Sequence, residues 1–254
     1  MIQAFKRPES LKDVPFRFCP GCGHSLVHRL IAECVDELGI RERTIGIAPV
    51  GCAVFAYDYF NFDVIECAHG RPPAVATALK RVMPGNVVFS YQGDGDLASI
   101  GLGEIVHAAN RGENLSVFFI NNATYGMTGG QMAPTTLVGQ KTTTTPAGRD
   151  PKSHGYPLPM AEILATIKGA VFIARTAIDG IKGIKETRRL IKKSFQYQLE
   201  GKGFSMIEIL SPCPTVWKKN PVESLQWLSG HMESVYRTGI LIDRYGELQD
   251  WKKA

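Results

Sequence analysis

The chain has 254 residues, 44% hydrophobic and 21% charged, close to an ordinary globular domain, which excludes a disordered or collagen-like polymer. No run approaches the ~18 consecutive apolar residues of a membrane span. The formal net charge is a mild +5, and no basic stretch is interleaved with aromatics, so nucleic acid is not an expected partner.

In chain order, Met1–Lys6 lacks the apolar core of a signal peptide, and a cytoplasmic protein is expected. Leu26, Leu30, Ile31, Cys34, Val35 and Leu38 recur at helical spacing, and Gly39 stops that helix. Short apolar strands are expected at 43–49 and 64–66. A helix follows at 73–83, closed by Pro84-Gly85, then a buried strand at 86–91, a helix at 97–109 and a second buried strand at 115–120. Further on come a helix at 160–167, a strand at 171–175, a long helix at 181–199 and a strand at 204–210. Apolar strands alternating with helices predict an α/β fold, a doubly wound, mostly parallel sheet covered on both faces. One domain is expected over residues 1–254. Residues 121–157, rich in Gly, Thr and Pro, form a connection long enough to be functional or disordered. From residue 211 a tail carries Pro212-Cys213-Pro214 and the three tryptophans, Trp217, Trp227 and Trp251. It is expected to wrap over the sheet or over a partner. Arg188-Arg189 and Lys192-Lys193 read as a solvated helix face, with docking of an acidic protein as the other reading.

The first constellation is Gly93-Asp94-Gly95-Asp96, between the strand at 86–91 and the helix at 97–109. In a parallel sheet this is the carboxyl end of a strand, where ligands bind. Gly93 and Gly95 admit an anion close to the backbone, and the helix N-terminus favours phosphate. Asp94 would repel a bare phosphate but fits a site in which Mg²⁺ lies between the two. One strand later, Asn122 and the Thr124 carbonyl offer further oxygen ligands. Gly126, Gly129 and Gly130 again permit close approach, and Thr128 can donate to phosphate. The alternative is a simple turn. A dinucleotide fingerprint is excluded, because Gly101 and Gly103 are followed by Val106 where a third glycine is required.

The second constellation is Cys19-Pro-Gly-Cys22, Gly51-Cys52 and Pro-Cys213-Pro. Four thiolates can hold a tetrahedral Zn²⁺ or an iron–sulfur cluster, and the spacing leaves both open. Cys34 and Cys67 read as small core residues. His24 reads as a packing or capping residue. His69, beside Gly70 and Arg71 in a loop, reads either as structural or as orienting a cofactor or a carboxylate.

Cys19-Pro-Gly-Cys22-Gly, Gly51-Cys52, His69-Gly70-Arg71, Gly93-Asp94-Gly95-Asp96, Tyr125-Gly-Met127-Thr128-Gly-Gly-Gln131 and Pro-Cys213-Pro-Thr215 follow one another in this order. That order resembles the β subunit, the thiamine-diphosphate-binding one, of the 2-oxoacid:ferredoxin oxidoreductases of the 2-oxoisovalerate/2-oxoglutarate type. The resemblance implies the diphosphate-binding half of a thiamine diphosphate fold. It implies Mg²⁺ on Asp94, Asn122 and Thr124, and a cofactor lined by Gly51, Cys52, His69, Gly70, Gly93, Gly95, Asp96, Tyr125, Gly126, Met127, Thr128 and Gln131. It implies a [4Fe–4S] cluster on Cys19, Cys22, Cys52 and Cys213, with His69 and Arg71 catalytic. The implied activity is oxidative decarboxylation of a 2-oxoacid with coenzyme A, the electrons passing to ferredoxin. The glutamate that activates thiamine diphosphate belongs to a second, pyrimidine-binding domain, so an α subunit is the implied partner, with γ and ferredoxin-like δ subunits as further candidates. Phe55 suggests an apolar wall suited to a branched-chain substrate. The rivals are a thiamine diphosphate decarboxylase subunit without redox function, with a structural Zn/Cys site, and a non-enzymatic metal-binding or electron-transfer scaffold.

Overall fold

The computed structural model describes residues 6–246; Trp251 and most of the Met1–Lys6 segment lie outside the described residues. Seven strands form one sheet: β1 Thr44–Ala48, β2 Asp63–Glu66, β3 Val87–Gly93, β4 Ser116–Asn121, β5 Ala170–Ala177, β6 Phe204–Leu210 and β7 Gly239–Asp243. Their order is β2-β1-β3-β4-β6-β5-β7. All neighbours pair in parallel except β5 and β7, which run antiparallel. Every residue of β4, β5 and β6 is buried, as the continuous apolar runs require of a sheet covered on both sides.

The covering follows from strand alternation. Phe89, Phe118 and Ile207 face the helices Gly23–Glu37 and Ile181–Leu199 and pack with Val27, Ile31, Leu190 and Phe195. Val88, Val117 and Met206 face the opposite layer and pack with Ala76, Ile105 and Leu164 of the helices Pro72–Val82, Leu102–Asn110 and Met160–Ala165. After β1 the chain turns to β2 through Ala56–Tyr59, against the first layer. After β3 it turns to β4 through Leu102–Asn110, in the second. The connections therefore diverge between β1 and β3 and leave a crevice outside their carboxyl ends.

Two elements depart from the sequence reading. The helix expected at 97–109 is split: Asp96–Ile100 forms a wide π-turn in which Gly101 N–H donates to the Asp96 carbonyl at 2.9 Å, and Leu102 then starts a new helix. Gly70, with φ +76°, packs against this break so closely that an added Cβ would meet Gly101 N at 2.7 Å. The tail contributes a strand, β7, beyond the short helices Pro214–Trp217 and Pro221–Trp227. The basic residues lie on a solvated, ion-paired helix face, as the sequence suggests: Arg188 pairs with Glu33 and Glu37, Lys192 with Glu37, Arg189 with Glu186 and Lys193 with Asp243.

A buried polar row crosses the sheet. Arg175 on β5 donates to Glu208 on β6 (2.9 Å) and to Glu162, and Glu208 accepts from the Asn121 amide at the end of β4 (2.7 Å). Arg175→Met would strand the fully buried Glu208 carboxylate, and urea unfolding should show a loss of about 3–5 kcal/mol. His28 is buried among Phe16, Phe18, Tyr59, Phe60 and Tyr91. Its Nδ1–H donates to the His24 carbonyl (2.7 Å), and Nε2 has no partner. Burial lowers its pKa from 6.5 to about 4, partly opposed by that hydrogen bond. The neutral ring is favoured in the fold, so its contribution is complete above pH 6.5 and is lost as the pH falls toward 4. His28→Phe is expected to remove about 3 kcal/mol of pH dependence across that window, read from urea midpoints at several pH values.

Candidate cofactor site

The crevice between β1 and β3 contains a cavity of about 320 Å³. Val50, Gly51, Cys52 and Ala53 from the end of β1 form one wall, and Gly93 to Asp96 with Ser99 and Ile100 form the floor. Asn122 and Thr124 to Thr128, after β4, form the other wall, with His24 and His69 completing it. The register explains the meeting: Gly93 pairs with Ile120, so β3 and β4 release their chains side by side.

Asp94 is buried at the base of this cavity. Its Oδ1 accepts from Gly95 N–H (2.9 Å), and Oδ2 accepts from Thr124 N–H (3.1 Å) and Thr135 Oγ1 (2.7 Å). Burial pushes its carboxyl up to about 7 against those hydrogen bonds, which pull it down. No cationic side chain pairs with it among the described residues. A buried carboxylate without a counter-ion, flanked by an amide side chain and backbone carbonyls, suits a hard divalent cation. Glycine at 93 leaves the floor open, since nothing lies within 4 Å of where a Cβ would stand.

The cysteines gather at the β1 side. The thiols of Cys22 and Cys213 are pushed up to about 12, first by burial and then by neighbouring sulfurs: Cys52 and Cys19 act on Cys22, and Cys22 and Cys52 act on Cys213. Cys52 is raised by burial, then by Cys19 and Asp94. A Cβ added at Gly126 would stand 3.5 Å from Cys213 Sγ and 3.7 Å from both Cys52 Sγ and Asn122 Nδ2. The thiol group and the Asn122 amide therefore share the Gly126 backbone as a common wall. Among the described residues no three His, Cys, Asp or Glu side chains close into the shell of a single ion.

His69 is oriented by Asp96. Its Nδ1 lies 2.5 Å from Asp96 Oδ1; the carboxylate only accepts, so the ring N–H is on Nδ1 and Nε2 remains available. Gly70 N–H donates to the same oxygen (2.6 Å), and Gln92 Nε2 donates to the other (2.7 Å). Asp96 thus supports His69 and the loop behind it. Gly70, Arg71 and Gln131 do not line the cavity. Gly70 is the close-packed turn described above, and Arg71 pairs with Glu104. Gln131 closes the 125–131 loop by bonding both the Thr128 hydroxyl (2.6 Å) and the Thr128 carbonyl (2.9 Å). Phe55, expected as a substrate wall, packs instead against Phe18 and the core, because the 3₁₀ turn Cys52–Phe55 directs it away.

Sequence reasoning missed Val50, Ala53, Ser99 and Ile100 in the lining, and Thr135 behind Asp94; none belongs to a motif. His24 packs on Phe18 and bonds Tyr91, as a packing residue would, but it also faces the cavity. Cys34 is core, bonded to the Arg188 carbonyl. Cys67 is half-buried and packs against the second core layer.

Residues 49–209 match the model of the thiamine pyrophosphate enzyme family, C-terminal TPP binding domain. The chain is 49% identical over 257 residues to the ketoisovalerate oxidoreductase subunit VorA of Methanothermobacter thermautotrophicus, covering 97% of this chain and 54% of the relative. It is 35% identical over 222 residues to the 2-oxoglutarate synthase subunit KorB of Methanocaldococcus jannaschii, covering 85% and 77%. The chain belongs to the thiamine-diphosphate-binding subunits of the 2-oxoacid oxidoreductase family. Its fold superposes, with a TM-score of 0.79 and 27% identity, on the 2-oxoglutarate:ferredoxin oxidoreductase from Magnetococcus marinus with 2-oxoglutarate, coenzyme A and succinyl-CoA bound, covering 95% of this chain and 86% of that one. The chain spans about half the length of the ketoisovalerate relative.

Gly93→Ala tests whether the cavity is the cofactor cradle. The methyl meets only open space, so the unfolding free energy should change by less than about 0.5 kcal/mol. Thiamine diphosphate binding, followed by calorimetry with Mg²⁺ present, should weaken at least about tenfold.

Proposed function

We propose that this chain is the thiamine-diphosphate-binding part of a 2-oxoacid:ferredoxin oxidoreductase, converting a 2-oxoacid and coenzyme A to acyl-CoA and CO₂. Two electrons pass through a [4Fe–4S] cluster to ferredoxin. The observation that carries this reading is the shared wall: Cys52 and Cys213 lie against Gly126, next to Asn122, and Cys52 lines the same cavity as Asp94. A redox group held by these thiols would stand beside the bound cofactor.

Asp94, Asn122 and the Thr124 carbonyl would hold Mg²⁺, and the backbone at Gly93 and Gly95 with Thr128 would receive the diphosphate. Cys19, Cys22, Cys52 and Cys213 would hold the cluster; its positive irons would relieve the mutual repulsion and burial that now disfavour the thiolates. When bound, thiamine diphosphate supplies the electron sink for loss of CO₂. This chain's residues anchor and orient it. His69, fixed through Nδ1 by Asp96, presents Nε2 to a substrate carbonyl or carboxylate. Arg71 braces the His69 loop through Glu104. The carboxylates lining the cavity are Asp94 and Asp96, both engaged as described, so the acid that activates the pyrimidine ring would come from a partner α subunit. Val50, Ile100 and Met127, all lining residues, are 45–49% exposed and give that partner an apolar rim.

Among the described residues the lining includes no Lys or Arg. A second substrate carboxylate would find no counter-charge here, which supports an aliphatic 2-oxoacid such as 2-oxoisovalerate over 2-oxoglutarate. The test is anaerobic co-purification of the chain with its partner subunits, followed by assay of iron, sulfide, zinc and thiamine diphosphate. Iron, sulfide and thiamine diphosphate together are expected, with kcat/KM for 2-oxoisovalerate at least about tenfold above that for 2-oxoglutarate. Zinc in place of iron would leave a decarboxylase subunit, and absence of thiamine diphosphate would overturn the reading.

A further inference from the structure

The segment from Asn122 to Pro159 contains only one short helix, Pro151–His154, yet it is densely bonded around one side chain. Arg149 is 5% exposed, and no carboxylate pairs with it among the described residues. Its guanidinium donates only to backbone carbonyls: Nε to Gly155 (2.9 Å), Nη1 to Thr136 (2.6 Å), Pro134 (2.8 Å) and Ala133 (3.4 Å), and Nη2 to Tyr156 (2.7 Å) and His154 (3.2 Å). The Thr135 carbonyl, skipped by Arg149, accepts from the buried Tyr236 hydroxyl (2.7 Å). Four consecutive carbonyls, 133 to 136, are therefore held by two buried side chains.

The residue in the middle of that stretch is Thr135. Its side chain leaves the clasp on the opposite side and donates to Asp94 Oδ2 (2.7 Å). Thr136 Oγ1 donates to the Ala123 carbonyl (2.8 Å), and Gln140 Nε2 donates to the same oxygen (3.1 Å). Ala123 has φ +56°, an uncommon conformation for a residue with a Cβ. It joins Asn122 to Thr124, so the clasped segment braces the metal-side turn at its most strained residue.

We propose that Arg149 is a positioning residue for the metal carboxylate, holding residues 133–136 so that the Thr135 hydroxyl fixes Asp94 and the Ala123 turn. Arginine suits this task because its rigid fork of five N–H groups bonds carbonyls in several directions at once. A lysine has three donors around one point and cannot span both the 133–136 and the 154–156 segments. The inference rests on the Mg²⁺ reading of Asp94 but also carries a direct structural consequence: the Thr124 amide, bonded to Asp94 Oδ2 and Asn122 Oδ1, loses protection when the clasp is broken.

The test uses the anaerobically purified complex with Thr135→Val, Arg149→Met, Arg149→Lys and the Thr135→Val/Arg149→Met double variant. Mg²⁺-dependent thiamine diphosphate affinity is measured by calorimetry, and Thr124 amide exchange by mass spectrometry. Thr135→Val should bind about tenfold more weakly while still unfolding in one cooperative transition. Arg149→Met should lose at least as much, and the double variant no more than Arg149→Met alone, since both changes remove one contact. Arg149→Lys should fail to restore binding. Thr124 exchange should accelerate in every Arg149 variant. Wild-type affinity in folded Arg149→Met, or in Thr135→Val, would overturn the proposal, as would additive losses in the double variant. If Arg149→Met does not fold, Arg149→Lys and Thr135→Val decide it by the same readings. If the wild-type complex binds no thiamine diphosphate, the function reading fails, and unchanged Thr124 exchange in Arg149→Lys would separately overturn the clasp.

Discussion

The parallel pairing of β3 with β4, and the divergence of the chain between β1 and β3, set the rest of the site. Parallel strands in register end at the same edge, so Asp94 and Asn122 become neighbours although a helix separates them in sequence. The divergence opens a crevice because the connections after β1 and β3 leave for opposite faces. The apolar core supports this indirectly: helices on both faces keep β3 and β4 buried, and the groups that line the cavity come from where the strands end.

At that edge, buried charge organises the detail. Asp94 is surrounded by donors and lacks a cation, and the gathered cysteines disfavour one another's thiolates. Burial and neighbouring charge therefore favour the protonated form of both groups. The Asp96–His69 pair is different. It is internally satisfied, with the imidazole N–H, the Gly70 amide and the Gln92 amide all directed at one carboxylate. Asp96 therefore acts as scaffold for a ring that faces the cavity, and Gly70 packs closely on Gly101 at the end of the wide π-turn that begins at Asp96.

Support for the site extends well beyond its lining. Arg175, Glu208 and Asn121 form a buried polar row across three adjacent strands that ends at the Asn121–Ala123 turn. Arg149 and Tyr236 hold the long segment whose threonines reach the same turn from the other side. Two buried arginines thus brace the Asn121–Thr124 turn, one with carboxylates as partners and one with backbone carbonyls alone.

Much of this protein is determined locally. The apolar runs at Val87–Val88–Phe89 and 115–120 specify buried strands, and the glycine-flanked Asp94 and the Cys-x-x-Cys pair specify chemistry, because conformational freedom and ligand type belong to the residues themselves. The order of those motifs was enough to point to the family. What the sequence left open depended on distance in space. Zn²⁺ and cluster readings of the cysteines rested on spacing alone, and only the fold brings Cys52 and Cys213 against Gly126, with Cys22 close enough to raise the Cys213 thiol. Arg71 and Phe55 carry side chains suited to a pocket, but the backbone turns beside them direct one to Glu104 and the other to Phe18. Thr135 and Arg149 lie in a segment with no periodicity to read. Their roles arise from hydrogen bonds between residues far apart in the chain, and tertiary packing alone decides those.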